Sequence, residues 1–377
     1  MASRKENIMK IKITEIRLRS FKNFHELIYL VESGRIYGRD GDGKTSLLNA
    51  IPACFLNCDM YGKKPHPLNV DATNGWVKLC YNLDDNDEVK SLDMYRTWKI
   101  SEDSIHSSVS NRITIHKSLF LAMLNPLYVF SLNNQERNEL FRDLYYFDYT
   151  GDLLDELYGD IPLDVVKFAK SISPISIAKL NSLLSKAKDG IKKCNEEIVG
   201  CEHQLAILCN IPEAEDLYED VKLKKEIAAA ELAEHEQMKR SVDIINESLL
   251  SNARAFVEKS FSMAKLTEKG CIVYNDMPSE FLSSGEKIDC GLEIANLIAS
   301  KYPLVPPTVI DDASACGHRD VDLSNYPYLS QILTASYADV DLCEHNGNSL
   351  NALDRYWKIP APANFIPEVQ IEMIPIS

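Results

Sequence analysis

Gly38-Arg39-Asp40-Gly41-Asp42-Gly43-Lys44-Thr45 is the stretch on which the fold turns. It satisfies G-x-x-x-x-G-K-[ST] at every fixed position, a match that arises by chance in a chain of this length about one time in a hundred. Glycines let a loop close around phosphate oxygens, so that backbone N–H groups and the start of the following helix point at the anion. Lys44 supplies a charge to terminal phosphates and Thr45 a hydroxyl to magnesium. With Asp40, Gly41, Asp42 and Ser46 lining the same loop, the implied ligands are ATP and Mg2+.

The flanks have the polarity such a loop requires. From Met9 to Leu30 apolar and polar residues alternate, which predicts a half-buried strand, and Thr45 to Phe55 carries apolar residues at helical spacing. Further on, alternations around Trp76–Tyr81, Ser91–Ile100 and Arg112–Ile115 predict an antiparallel sheet. Asn133 then reads as the cap of a helix running into Leu140, Phe141 and Leu144.

The clearest periodicity follows. Ile177, Leu184, Ile191, Ile198 and Leu205 repeat every seven residues, with Leu180, Ala187, Cys194, Cys201 and Leu208 between them. Asn210-Ile211-Pro212 breaks this helix, and a second amphipathic stretch carries Val221, Ala228, Met238, Val242, Ile245, Leu249, Ala253 and Val257. Two such helices around a proline break predict an antiparallel hairpin, an arm whose outer face is rich in Lys and Glu; Cys194 and Cys201 read as small core residues.

Strands return around Cys271–Tyr274, Thr308–Asp312 and Gln331–Ala335. The run Pro307-Thr308-Val309-Ile310-Asp311-Asp312 ends an apolar strand in two acids: Asp311 is the predicted magnesium carboxylate, and Asp312 the acceptor that orients an attacking water. Ser283, Ser284, Gly285 and Glu286 open a helix shortly before it, another place where backbone and hydroxyl donors can hold phosphate. The prolines at 360, 362, 367 and 375 predict an irregular tail.

The formal charge of −15 over 377 residues excludes coating of nucleic acid through overall charge, so DNA contact needs a local basic face. Arg17, Arg19 and Lys22, or Lys186, Lys188, Lys192 and Lys193, offer one, although a solvated helix surface explains the second group as well. The ten cysteines form no C-x-x-C pair, which favours reduced thiols over a disulfide framework or a zinc site. No apolar run approaches the roughly 20 residues of a membrane span, and a cytoplasmic location is expected.

Taken in order, the strand and loop at Gly38–Thr45, the helical hairpin, Leu282-Ser283-Ser284-Gly285-Glu286 and the Asp311-Asp312 strand resemble the split ABC-type ATPase heads of the SMC, RecF and SbcC group, in the compact form common on phage and mobile-element genomes. The resemblance implies an α/β fold, an ABC-type P-loop head with a mixed sheet and an antiparallel β subdomain, split by an antiparallel coiled-coil hairpin. It divides the chain into 1–170 with Walker A, 171–262 as the hairpin, and 263–377 with signature and Walker B. It further implies that Gln135 is the Q-loop residue touching nucleotide and metal, that Ser283–Glu286 is the signature loop, and that ATP is sandwiched between two heads of a homodimer. The chain departs from the pattern at Asp312, where a glutamate is usual, which points to slow turnover. No histidine stands just beyond Gln331–Ala335, since His318 and His345 lie in other places, and the arm is short and lacks a zinc hook.

Two functions compete. One is a DNA-associated ATPase of repair, recombination or replication beside a separate nuclease, since no nuclease cluster is visible in the chain. The other is an ATP-gated switch recruiting another protein, in mobile-element defence or counter-defence, favoured by Asp312 and the acidic surface. A kinase or GTPase leaves the hairpin unexplained, and an Asn-Lys-x-Asp guanine motif is missing.

Overall fold

The computed structural model describes residues 8–31, 34–85, 88–101, 104–147, 149, 152–157, 161–211, 214–260, 264–267, 269–311 and 323–337. They form a mixed α/β protein of two compact units, Met1–Leu140 with Ser260–Ser377, and Phe141–Lys259. The first unit is therefore built from two distant pieces of chain.

Its larger sheet is mostly antiparallel. Strand β1 (Met9–Phe21) lies between β4 (Asn74–Asp85) and the parallel edge β10 (Leu304–Val305), and pairs also with β2 (Phe24–Leu30); β5 (Glu88–Ser101) and β6 (Ser104–Val109) extend the meander from β4. The alternation over Met9–Leu30 is thus two strands, not one: Lys22 and Asn23 turn the chain, with Lys22 at φ 49°, and Phe21 faces Phe24 across the hairpin. The third strand of the meander is also displaced from expectation, to Ser104–Val109, leaving Arg112–Ile115 irregular.

Within β1 the buried residues are Ile11, Ile13, Ile16, Leu18 and Phe21, a pattern whose parity first changes between 13 and 16. A register shift against β4 between Ile13 and Glu15 restores the inward face, as a β-bulge does. The Gln331 amide reaches that bulge, its oxygen accepting from Ile13 N (2.9 Å) and its nitrogen donating to Ile13 O (3.2 Å).

The second sheet is parallel and small: β11 (Thr308–Ile310), β12 (Ile332–Tyr337) and β3 (Arg35–Gly38), in that order. Helix α1 (Lys44–Leu56) packs on strands of both sheets, and α2 (Lys117–Leu124), whose residues Leu119–Leu124 are all buried, packs on α1, β11 and α8 (Ser284–Ala299). A helix apolar on every side belongs inside a core, and α8 approaches so closely that a Cβ on Gly291 would lie 2.2 Å from Pro126 O. The short α3 (Tyr128–Ser131), the start of α4 (Asn134–Tyr145) and a small sheet of β7 (Ala264–Leu266), β8 (Ile272–Tyr274) and β9 (Met277–Pro278) complete the unit.

The second unit contains the rest of α4, α5 (Leu163–Ser171), and the hairpin of α6 (Ile177–Leu208) and α7 (Glu215–Ser260). Leu180, Ala187 and Cys194 on α6 are buried, as are Val221, Ala228, Val242, Ile245 and Leu249 on α7. The helices run antiparallel: Glu202 pairs with Lys225 at 2.8 Å, and the His235 ring lies where a Cβ of Gly190 would stand. At the base, Leu180, Val242, Ile245 and Leu249 share a core with Tyr146, Leu153, Val165 and Ile175. Pro212 and the proline-containing tail lie outside the described residues.

Candidate functional site

The parallel strand β3 delivers the chain into the glycine loop. Gly41 and Gly43 adopt φ of 87° and 91°, the left-handed region that glycine enters without strain. At Gly43 there is a second reason for glycine, because a Cβ there would lie 2.7 Å from the Phe24 ring, which the β1–β2 hairpin holds against the loop. The loop closes on itself: Asp42 N donates to Arg39 O (3.2 Å) and Arg39 N to the Asp42 carboxylate (2.9 Å).

Lys44 is the first residue of α1, and its ammonium folds back over the loop, donating to Gly38 O (2.8 Å) and Arg39 O (2.9 Å), with the Asp40 carboxylate at 3.8 Å. An ammonium held by carbonyls across a glycine loop, beside a helix start, is a cation aimed at an anion site. Ser46 is buried in the first turn.

Thr45 meets Asp311. Its hydroxyl donates to the Asp311 carboxylate, 2.9 Å and 2.8 Å from the two oxygens, bringing together residues 266 positions apart. Asp311 directly follows β11, and β12 lies between β11 and β3, so the parallel sheet sets this contact. A hydroxyl and a carboxylate in contact are hard oxygen donors, the set that suits magnesium held partly by protein and partly by phosphates and water. The residues present fit such an ion. Among the described residues no group of three or more His, Cys, Asp or Glu side chains converges as a metal site.

Three neighbours of this pair were not legible as site residues. Lys22, in the hairpin turn, has its pKa lowered by burial, while the charges of Asp59 and Asp311 act in the opposite sense. Phe24 covers Gly43, as described. Asn49, one turn into α1, donates to Thr45 O (2.8 Å) and accepts from Met60 N (3.1 Å), fixing the helix start to the loop that follows α1.

Among the described residues, no hydrogen bond joins Gln135 or Ser283–Glu286 to Lys44 or Thr45. Gln135 is in the first turn of α4 and donates to Glu139 (2.9 Å); among the described residues no hydrogen bond ties it to the glycine loop. Asn133 caps that helix, accepting from Glu136 N while its own N–H donates to the Glu136 carboxylate. Ser283 caps α8 reciprocally with Glu286, whose carboxylate accepts from Ser283 Oγ (2.7 Å) and N (2.8 Å). These bonds, the side-chain one first, hold Glu286 below the usual carboxylate range. Ser284 and Gly285 form the first turn of α8, and Phe281 just before it is 72 % exposed. Asp312 lies outside the described residues.

No helix among the described residues is long and apolar enough to cross a membrane. The sequence matches no protein-family model and no curated protein. In structure the chain is similar to an SMC head domain with an extended coiled coil, bound to the C-terminal domain of ScpA, from Pyrococcus furiosus. The TM-score is 0.42 at 16% identity, over 89% of this chain and 92% of that one. It is also similar to the recombination mediator RecF with ATP (TM-score 0.40, 13% identity, 90% and 94% covered), and to RecF with an ATP analogue (0.39, 13%, 89% and 95%). At these values the likeness concerns overall fold, and it carries no inference for individual residues.

Proposed function

We propose that this chain binds and hydrolyses Mg-ATP as a compact ATPase of the SMC, RecF and SbcC type, and that it acts on DNA. The observation that carries the proposal is the Thr45–Asp311 contact, which joins the last position of the glycine-loop motif to the strand-end acid predicted from the sequence. In this reading Gly38–Ser46 holds the phosphates, Lys44 neutralises the terminal one, and Thr45 and Asp311 hold magnesium. The metal, when bound, supplies charge neutralisation for the transferred phosphoryl group. Asp312 accepts a hydrogen bond from the attacking water and orients it, a reach one methylene shorter than glutamate provides. Gln135 and the Ser283–Glu286 loop join the nucleotide when two heads close on it, and Phe281 stands beside that loop as an apolar contact for the second head. The domain roles follow: 1–170 and 263–377 as the two halves of the head, 171–262 as the arm, with a nuclease or other protein as partner.

The test is ATP turnover of the purified protein with and without linear DNA, alongside Lys44→Ala and Asp312→Asn, while mass in solution is followed. Turnover stimulated by DNA and lost in both variants is the expected result. ATP binding and dimerisation with negligible hydrolysis and no effect of DNA would instead establish the ATP-gated protein switch, the reading that the shorter Asp312 favours.

A further inference from the structure

The loop after α1 builds a second pocket, distinct from the glycine loop. Asp59 organises its floor, its carboxylate accepting from Tyr61 N (2.9 Å) and Lys63 N (2.8 Å) and its carbonyl from Gly62 N (3.0 Å). Gly62 takes φ 78° and lies against Leu121 and Tyr128. The Lys117 ammonium locks the loop to α2 by donating to Gly62 O (2.8 Å), and Tyr128 is buried beside it. Together these side chains enclose a volume of about 570 Å3, within the range of ligand pockets.

The lining chemistry is specific. Tyr61 and Tyr128 are aromatic, Lys63 and Lys117 are cationic, and Ser118 offers a hydroxyl. Glu136 also lines the pocket, but its carboxylate is engaged by Asn133 N in the α4 cap. Tyr61 is 41% exposed. Among the described residues the side chains of Lys63 and Lys64 make no ion pair or hydrogen bond, and positive charge continues along the loop from Lys63, which lines the cavity, to Lys64. In a chain of net charge −15, Lys63 and Lys64 place two formal positive charges side by side on one short loop. An aromatic ring beside such cations is the combination that stacks a base while its phosphates are neutralised.

We propose that this pocket binds single-stranded nucleic acid, one base stacked on Tyr61 and adjacent phosphates on Lys63, Lys64 and Lys117. It deepens the DNA-associated reading and rests on it, and its position is apt: Asn49 connects Met60, at the edge of the loop, to Thr45.

The experiment is anisotropy of a labelled single strand, with the same sequence as duplex and a mononucleotide as competitors, on the full chain without ATP. Tyr61→Ala is expected to weaken binding by about 5- to 100-fold. Lys63→Glu with Lys64→Glu should weaken it at least tenfold and lower the salt slope by about one per lysine. DNA-free ATP turnover should stay unchanged in both, which also reports folding. If the wild type binds the strand and its turnover responds to DNA, but both variants bind as well as the wild type, the pocket is not the contact and the DNA-associated reading stands. If a mononucleotide competes as well as the strand, the assignment to a strand is wrong. If no strand binds and DNA leaves turnover unchanged, both proposals fall.

Discussion

At Gly43 the backbone angle and the space are both closed to any other residue. Alanine there forces a positive φ on a Cβ and drives it into the Phe24 ring, so Gly43→Ala should lower stability by about 1–3 kcal/mol in thermal or urea unfolding. Part of that cost should return when Phe24→Leu is combined with it, since the ring is one of its two causes. At the neighbouring pair, Thr45→Ala and Asp311→Asn should each weaken magnesium-dependent ATP binding at least tenfold in calorimetry while leaving the melting temperature within a few degrees. The thiols make a different kind of prediction. Burial pushes Cys54 and Cys290 up to about 12, against an ordinary value near 9. Because the folded pKa is the higher one, the stabilisation is fully present below about pH 9 and is lost as pH rises toward 12, with a slope of about 1.4 kcal/mol per pH unit for each thiol. Cys54→Ala should flatten the alkaline limb of a stability–pH curve by one such slope, and the exposed Cys209 should react with a thiol reagent at neutral pH while Cys54 and Cys290 do not.

At the scale of elements, the hairpin of α6 and α7 contains an instructive conflict. Gly190 sits in the middle of α6, where alanine is worth about 1 kcal/mol more in helix propensity. Yet a Cβ there would stand 2.4 Å from the His235 ring, which occupies the α7 core position between Ala228 and Val242. Gly190→Ala alone should therefore destabilise the hairpin, and in a His235→Ala background it should stabilise it by up to about 1 kcal/mol, a change of sign that a double-mutant cycle in urea would read. The seven-residue repeat made this hairpin legible from sequence, because a helical period of that length has few other readings. The strands were less legible. The turn at Lys22 and Asn23 has no glycine to mark it, so β1 and β2 read as one strand, and β3 is four residues long, too short for a pattern of its own. The parity change in β1 could only be understood once Gln331, over 300 residues away, was seen to fill the bulge.

For the whole molecule, what could be read in advance was what is local. The eight contiguous residues from Gly38 to Thr45 announce a phosphate loop because the chemistry needs them side by side, and Asp311 follows as an acid closing an apolar strand. Lys22, Phe24 and Asn49 could not be found in this way, since their place at the site depends on how two sheets and a hairpin turn come together. The order β11, β12, β3 decides when during synthesis the site can form. While the protein emerges from the ribosome, the phosphate loop appears early, but the strand that bridges β3 to β11 is made only after residue 331. Until then β3 has no neighbour and Thr45 no carboxylate to meet at a fixed distance. A nascent chain stalled at residue 325 should accordingly retain no nucleotide, and competence should arrive late and abruptly during synthesis.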